Sequence, residues 1–521
     1  MIERSKKKPI VLLILDGWGV AGPSETNMIN NARTPVFDEL IASFPATVLK
    51  TDGPEMGYLF NERPSLENSY WAMGTGRPNY NNLFRINKAI DNNTFIDNKA
   101  LNEAVQNVKT NNSKLHLLGL ASEANIHSSV DHIEQLLKLA KENNIDKVFL
   151  HIILDGVDTK GDKGIEYIEK IQKYISEYNI GEIASISGRF YGLDRDNHWE
   201  RTTKVYNAMV KGEGRTAFSP SVSLKESYNK QIYDKEFFPT VIVNKDGYPK
   251  AVIEECDSLI LFNLREDRWK QLVKAFAVPG LEKIPDRKFL KNLHFTAFSS
   301  CGKNMPVNIA FPYTETLNTL ADVLRSHEMN WLRLAPSEKY GLVTYYFDGK
   351  KDPETLSDQR KIFTSKEGVA EQEISDEIIN SVLNEDNDLV VATLTNLDEM
   401  VDYASYGDII KIIENIDHSL QRLYKETLNK GGALLVTSSA GCIENAYDPV
   451  SGDFNKELTC NGVPFVAVGK DREGRAIKDK ETVGDDLSLI KPEYSLLDVP
   501  PTILKILGIE KPKEMKGRSI L

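Results

Sequence analysis

Two arginines three residues apart, Arg265 and Arg268 in "DSLILFNLREDRW", stand where an apolar run gives way to polar residues. Guanidiniums at a helix start present fixed donors to a phosphate or carboxylate, and the three-residue spacing puts both on one helical face. A solvated charged turn would show the same pattern, since Glu266 and Asp267 lie between them. A second basic stretch, "SGRFYGLDRDNHWER", offers Arg189, Arg195 and Arg201 beside aromatics, too irregular in period for a plain solvated helix face. "EANIHSSVDH" places His127 after one strand-like run, and "LDGVDT" places Asp155 and Asp158 after another. A lone histidine is more often a satisfied surface or core residue than a catalyst. Several polar groups at neighbouring strand tips carry more weight, because ligand sites collect there.

The two ends of the chain suggest different chemistry. "VLLILDGWG" ends a strand on Asp16, a carboxylate that can hold a hard cation or cap the turn that follows. Asp398, Glu399 and Asp402 in "LTNLDEMVDY" could join Asp16 in a weak cation site, although acids at a helix start are common for dipolar reasons alone. In "GGALLVTSSAGCIE" a buried strand runs into Ser438, Ser439, Ala440 and Gly441, with no acid, imidazole or base at its tip. Metal-assisted phosphoryl chemistry needs several carboxylates or imidazoles converging. Of the eight histidines only His327 and His418 fall in the C-terminal part, and His418 lies inside the helical "IIENIDHSLQRL".

The elements that must position these groups alternate. "IVLLILDG", "KVFLHIILDG", "DSLILFN", "NDLVVATLTN" and "ALLVTSS" are strand-like, and "SVDHIEQLLKLAKENN" and "YGDIIKIIENIDHSLQRLYKETLNKGG" between them have helical period. Such alternation predicts an α/β architecture with largely parallel sheets. The Asn-rich stretch 79–93 and the Pro-containing stretch 303–315 read as connectors around a central block. At 521 residues the chain exceeds what one core supports, so two or three domains are expected. The net charge of -12 disfavours nucleic acid and acidic membranes, so an anionic ligand needs a local arginine cluster. Four scattered cysteines suit a reducing compartment. The basic start followed by Ile10–Leu15 is too short for a secretory signal, and no run spans a bilayer; the expected location is the cytoplasm.

The ordered set "LILDGWG", "HSSVDH", "LDGVDT", "GRFYGLDRDNHWER", "FNLREDR", "LAPSEKYGLVTYYFDG" and "LLDVPPTILKILGIEKPKEMKGRSIL" resembles the cofactor-independent phosphoglycerate mutases of the alkaline-phosphatase superfamily. The resemblance implies an alkaline-phosphatase-like three-layer α/β/α domain formed by residues 1–80 and 316–521. Residues 81–315 would form an inserted α/β transferase-like domain. It also implies a glycolytic isomerase, monomeric, that interconverts 3- and 2-phosphoglycerate through a phosphoserine with two Mn²⁺. Carried over by motif, His127, Asp158, Arg189, Arg195, Arg265, Arg268 and Lys339 take substrate-binding positions, while Val157 replaces the arginine of D-G-R-D-T.

The catalytic motifs depart from the family pattern. Against N-S-E-V-G-H-x-N-I-G-A-G-R, "SLENSYWAMGTGR" puts Leu66 at the nucleophilic serine and Tyr70 at the histidine, retaining Glu67, Gly74, Gly76 and Arg77. T-A-D-H-G becomes "TSSAG", so Ser439 and Ala440 stand at metal-ligand positions. Glu399, Tyr403 and Leu458 stand at three more, leaving Asp16 as the clear remnant. A pocket without metal or attacking hydroxyl cannot stabilise phosphoryl transfer. The expectation is therefore a pseudoenzyme without a resident cofactor that still binds a phosphoglycerate-like anion. An active mutase or phosphatase using Ser65 and one weak Mg²⁺ or Mn²⁺ at Asp16 is the alternative, with Ser69, Ser439 and Cys442 as further nearby nucleophiles. A purely structural protein partner is a third reading.

Overall fold

In a computed structural model of the chain, residues 8–58, 62–265, 267–302, 304–313, 315–351, 357–364, 370–475, 477 and 486–521 are described. The chain divides into two compact units, Met1–Tyr80 with Glu315–Leu521, and Asn81–Thr314. Strands β1 (Ile10–Asp16) and β2 (Ala46–Lys50) open the first unit. The second holds β3 (Leu115–Ala121), β4 (Val148–Leu154), β5 (Glu182–Gly188), β6 (Arg215–Ala217), β7 (Thr240–Ile242), β8 (Ser258–Leu261), β9 (His294–Ala297) and β10 (Asn308–Ile309). The chain then returns to the first with β11 (Trp331–Pro336), β12 (Asp358–Phe363), β13 (Leu389–Asn396), β14 (Ala433–Thr437), β15 (Val463–Val468) and β16 (Tyr494–Ser495).

The first sheet has the order β12-β11-β13-β1-β14-β15-β2-β16. Its centre is parallel, and β15 runs antiparallel to both β14 and β2. Successive side chains of a strand point to opposite faces. In β1, Val11, Leu13 and Leu15 enter one core, and Ile10, Leu12 and Ile14 enter another. A strand apolar on both faces is buried between layers, which is why "IVLLIL" reads as a continuous run and not as an alternation. One of those layers includes the helix Tyr406–Asn429, whose Ile409, Ile413, Ile416, Leu420 and Leu423 recur at helical spacing and are buried.

The second sheet has the order β10-β9-β8-β3-β4-β5-β7-β6, parallel except where β5 meets β7. It has its own core, with Leu118, Leu120, Leu259, Leu261, Trp269 and Phe276 among the buried residues. No helix among the described residues is long and apolar enough to cross a membrane.

Two sequence expectations need correction here. Asn82–Asp91, inside the stretch expected as a connector, is a helix, with Asn81 accepting from Phe84 N at its start and Leu83 and Ile86 buried. The asparagines cap this element instead of breaking it. "NERPSLENSYW" reads from the sequence as loop-like because it contains Pro64, but Leu66 to Thr75 is a helix with Ser65 as N-cap. Gly74 suits it because an added Cβ would lie 1.8 Å from the Phe347 carbonyl oxygen. The glycine is there for close packing.

Candidate functional site

In the second unit, the tips of four adjacent strands, β8, β3, β4 and β5, supply the chemistry. Arg189 follows β5 directly, is buried, and donates to Asp155 and, at 2.8 Å, to Asp158, both in the turn after β4. Ser122, after β3, donates to the other Asp155 oxygen at 2.6 Å. His127 lies further along that loop, its carbonyl accepting from Leu264 N at 2.8 Å, which ties the loops after β3 and β8 together. Its Nε2 is 3.8 Å from Asp158 Oδ2, and its buried Nδ1 has no partner among the described residues. Burial, and then the positive charge of Arg189, hold the imidazole below its ordinary value and favour its neutral form.

Arg195, Arg265 and Arg268 all face one carboxylate. Their nitrogens stand 3.4, 3.6 and 4.0 Å from Asp267 oxygens. Within 4.0 Å among the described residues these three guanidiniums share Asp267, and Arg268 also feels the charge of Asp196. Burial and the nearby Arg195 and Arg189 push the Arg268 guanidinium down from its usual value, the mark of cations crowded together. The helix expected to begin at Arg265 starts at Lys270, so Arg265 and Arg268 sit in the preceding loop and turn. Arg201 is committed elsewhere, donating to Asp194 at 3.0 Å and stacking on Phe190 at 3.8 Å. Val157 is 55% exposed, and its N–H donates to Asp155 at 3.2 Å.

In the first unit the tips of four adjacent strands, β11, β13, β1 and β14, converge on Asp16. The carboxylate is fully buried and accepts from Tyr70 Oη at 2.7 Å and from the Ser439 hydroxyl. Tyr70 Oη is in turn 2.5 Å from Thr393 Oγ1 of β13. Lys339, in the turn Ser337–Lys339 after β11, is also buried, and its Nζ stands 2.6 Å from Asp398, 3.1 Å from Glu399 and 4.0 Å from Asp16. Gly17 (φ +90°) lets the strands meet, since a Cβ there would lie 2.7 Å from Asp398 N. Burial raises Asp16 and Asp398, while Lys339 partly offsets it. Burial lowers Lys339, but the surrounding carboxylates more than compensate and hold it above its ordinary value.

The remaining expected positions are structural in their surroundings. Leu66 is the first residue of its helix and packs partly buried against the core. Ser65 Oγ accepts from Asn68 N at 3.3 Å, and Ser69 is buried. Ala440 is fully buried, Leu458 packs on the opposite core, and Tyr403 is 75% exposed. Burial pushes the Cys442 thiol up to about 12, so it is no nucleophile at neutral pH. Lys339, expected among the substrate-binding residues, is surrounded by the acids of the first unit. Asp267 and Thr393 drew no functional expectation from the sequence. The only signal for Asp267 was its place between two arginines.

The chain is 35% identical over 524 residues to a "2,3-bisphosphoglycerate-independent phosphoglycerate mutase" of Clostridium perfringens, covering 99% of both chains. It belongs to that enzyme's family. The Clostridium tetani protein of the same description is also 35% identical, and that of Clostridium beijerinckii 33%, each over 99% of both chains. Residues 86–300 match the family described as "BPG-independent PGAM N-terminus". The fold is that of the Leishmania mexicana phosphoglycerate mutase solved "at low cobalt concentration", with TM-score 0.59, 19% identity and coverage of 99% of this chain and 98% of that one.

The donors around Asp16 do not fit the pair of divalent ions that family resemblance implies. Hard cations need free oxygen or imidazole lone pairs. Both Asp16 oxygens accept hydrogen bonds, and an ammonium stands between the acids. Ala440 and Leu458 have no donor side chain to offer. In the second unit Asp194, Asp196 and His198 place ligand atoms within 4.8 Å of one another. There Asp194 already accepts from His198 Nδ1 at 2.9 Å and Arg201 at 3.0 Å, a salt-bridged arrangement in place of an open one.

Proposed function

We propose that this chain is a member of the phosphoglycerate mutase family that binds a phosphoglycerate-like anion in its second unit and does not transfer its phosphoryl group. The observation that carries the reading is the state of Asp16. Its oxygens are taken by Tyr70 and Ser439, and the neighbouring positive charge is an ammonium. A hydroxyl attacks phosphorus only when its proton is removed and the transferring charge is neutralised, and most of the acceleration comes from that electrostatic field. Leu66 offers no lone pair. Ser65, the nearest hydroxyl in sequence, is engaged as a helix cap.

Binding has better support. Arg195, Arg265 and Arg268 gather around Asp267, and His127 keeps a buried nitrogen with no hydrogen-bond partner among the described residues. A planar guanidinium cluster suits a phosphate and a carboxylate in one small molecule. Titration calorimetry with 3-phosphoglycerate is expected to show one site, weakened roughly tenfold or more in Arg265→Ala. The same protein with Mn²⁺ is expected to show no turnover to 2-phosphoglycerate. Absence of heat at millimolar ligand would remove the binding half of the proposal, and turnover abolished by Ser65→Ala would remove the other half.

A further inference from the structure

Past the end of β8, the backbone that leads to Arg265 is held by side chains and by one neighbouring loop. The Asn263 carbonyl accepts from Ser299 Oγ at 3.2 Å, and Leu264 N–H donates to the His127 carbonyl at 2.8 Å. The Leu264 carbonyl accepts from Asn82 Nδ2 at 2.8 Å, and the Arg265 carbonyl accepts from Asn263 Nδ2 at 3.2 Å. Surface loops usually leave such groups to water. Both amide orientations follow from their partners. Asn263 is fully buried, and its Oδ1 accepts from Ser299 N–H at 3.2 Å, a group that can only donate, so the NH₂ end faces the Arg265 carbonyl. Asn82 Oδ1 accepts from Arg85 Nη1 at 3.2 Å, which turns its NH₂ toward Leu264. Arg85 is itself anchored, donating to the Phe311 carbonyl at 3.3 Å and the Pro312 carbonyl at 2.6 Å. An aspartate at position 82 or 263 would have the same shape and no donor.

We infer that Asn82 and Asn263 are positioning residues of the anion site, two amides that preset the turn Asn263–Arg265 so that the Arg265 guanidinium and His127 are in place before the ligand arrives. The inference deepens the anion-binding reading above and rests on it. The Arg265 side chain is 60% exposed and stands 3.6 Å from Asp267. An exposed side chain is aimed mainly by its backbone, and fixing that backbone in the free protein removes an ordering cost from the binding step. Asn263 ties the turn to Ser299, just past β9, and Asn82 ties it to the helix Asn82–Asp91. Two elements that supply none of the recognition groups thereby share in recognition.

The test uses the full chain, with 3-phosphoglycerate binding followed by calorimetry and hydrogen exchange of the peptide containing Leu264 followed by mass spectrometry. Asn82→Ala and Asn82→Asp should each weaken binding about threefold to tenfold, the worth of one hydrogen bond, and speed exchange of that peptide. Asn82→Ala should keep the parent's salt dependence of the dissociation constant, because every arginine is still present, whereas Arg265→Ala should flatten it. Asn263→Ala should weaken binding further, since its amide holds both Arg265 and Ser299. Where that variant does not fold, the Asn82 variants decide. Parent-like affinity in both Asn82 variants overturns the inference, whether or not exchange quickens, and leaves the anion-binding reading standing. Weaker binding without faster exchange also overturns it, since the amide would then act on the ligand directly. A parent protein that gives no heat at millimolar 3-phosphoglycerate removes the anion-binding reading and the positioning role with it.

Discussion

Asp234 shows how a single buried carboxylate sets a pH dependence. It accepts from Gly164 N at 2.7 Å and from the Tyr228 hydroxyl, and burial, aided by the charges of Asp162 and Asp155, raises it to about 6. Because the folded value lies above the unfolded one, the stability this group contributes is complete below the ordinary carboxylate range. It is lost as pH rises through about 6. Asp234→Asn keeps an acceptor for Gly164 and can donate to Tyr228. Urea unfolding from pH 4.5 to 8 should therefore show a flatter profile, with the variant gaining about 1–2 kcal/mol relative to the parent at the alkaline end. An unchanged slope would mean that Asp234 is ionised throughout. The same scale explains the retained glycine at position 17, where a side chain would strike the Asp398 backbone.

The helix Leu66–Thr75 is the element in which packing and capping most clearly set the local conformation. Its N-cap Ser65, its buried Tyr70, Ala72 and Met73, and Gly76 at its C-cap all serve packing or helix termination. Gly74 lies against the segment Leu342–Tyr346 and Phe347, with no room for a methyl group. Gly74→Ala must displace backbone, and thermal or urea unfolding should show a loss of about 3 kcal/mol or more, or no folded protein. A loss under about 0.5 kcal/mol would show that the helix can shift freely. The sequence alone misjudges this helix because Pro64, Asn68 and Ser69 are turn-forming residues. The packing of Tyr70 and Met73 beneath β1 decides its conformation. Similarly, Asn81 and Asn92 look like interruptions and act as the caps of Asn82–Asp91. The long helix Tyr406–Asn429 is legible at once, since its apolar period is sustained for several turns and Gly431 (φ +69°) follows it.

At the scale of the whole molecule, each unit has its own eight-stranded sheet and its own core. Cores of this kind unfold as separate cooperative units unless strongly coupled. Scanning calorimetry is expected to show two transitions, and saturating 3-phosphoglycerate should raise only the one belonging to Asn81–Thr314. At a hundredfold excess over the dissociation constant the stabilisation is about 2.7 kcal/mol. A single transition that moves as a whole would mean that the units unfold together.

The α/β class is readable without coordinates because β1, β4 and β14 are short apolar runs and the segments between them have helical period. The identities of Leu66, Ala440 and Leu458 are equally readable, and a hydrocarbon side chain cannot bind a metal or attack phosphorus wherever it is placed. What surrounds Asp16 depends on the tertiary structure. Ser439 meets Asp16 across 423 residues, and Lys339 meets Asp398 across 59, because β11, β13, β1 and β14 lie side by side and bring their tips to one point. Strand order is fixed by packing of the whole sheet, and no local pattern encodes it. For the same reason, only the folded chain brings Lys339 beside Asp16, Asp398 and Glu399.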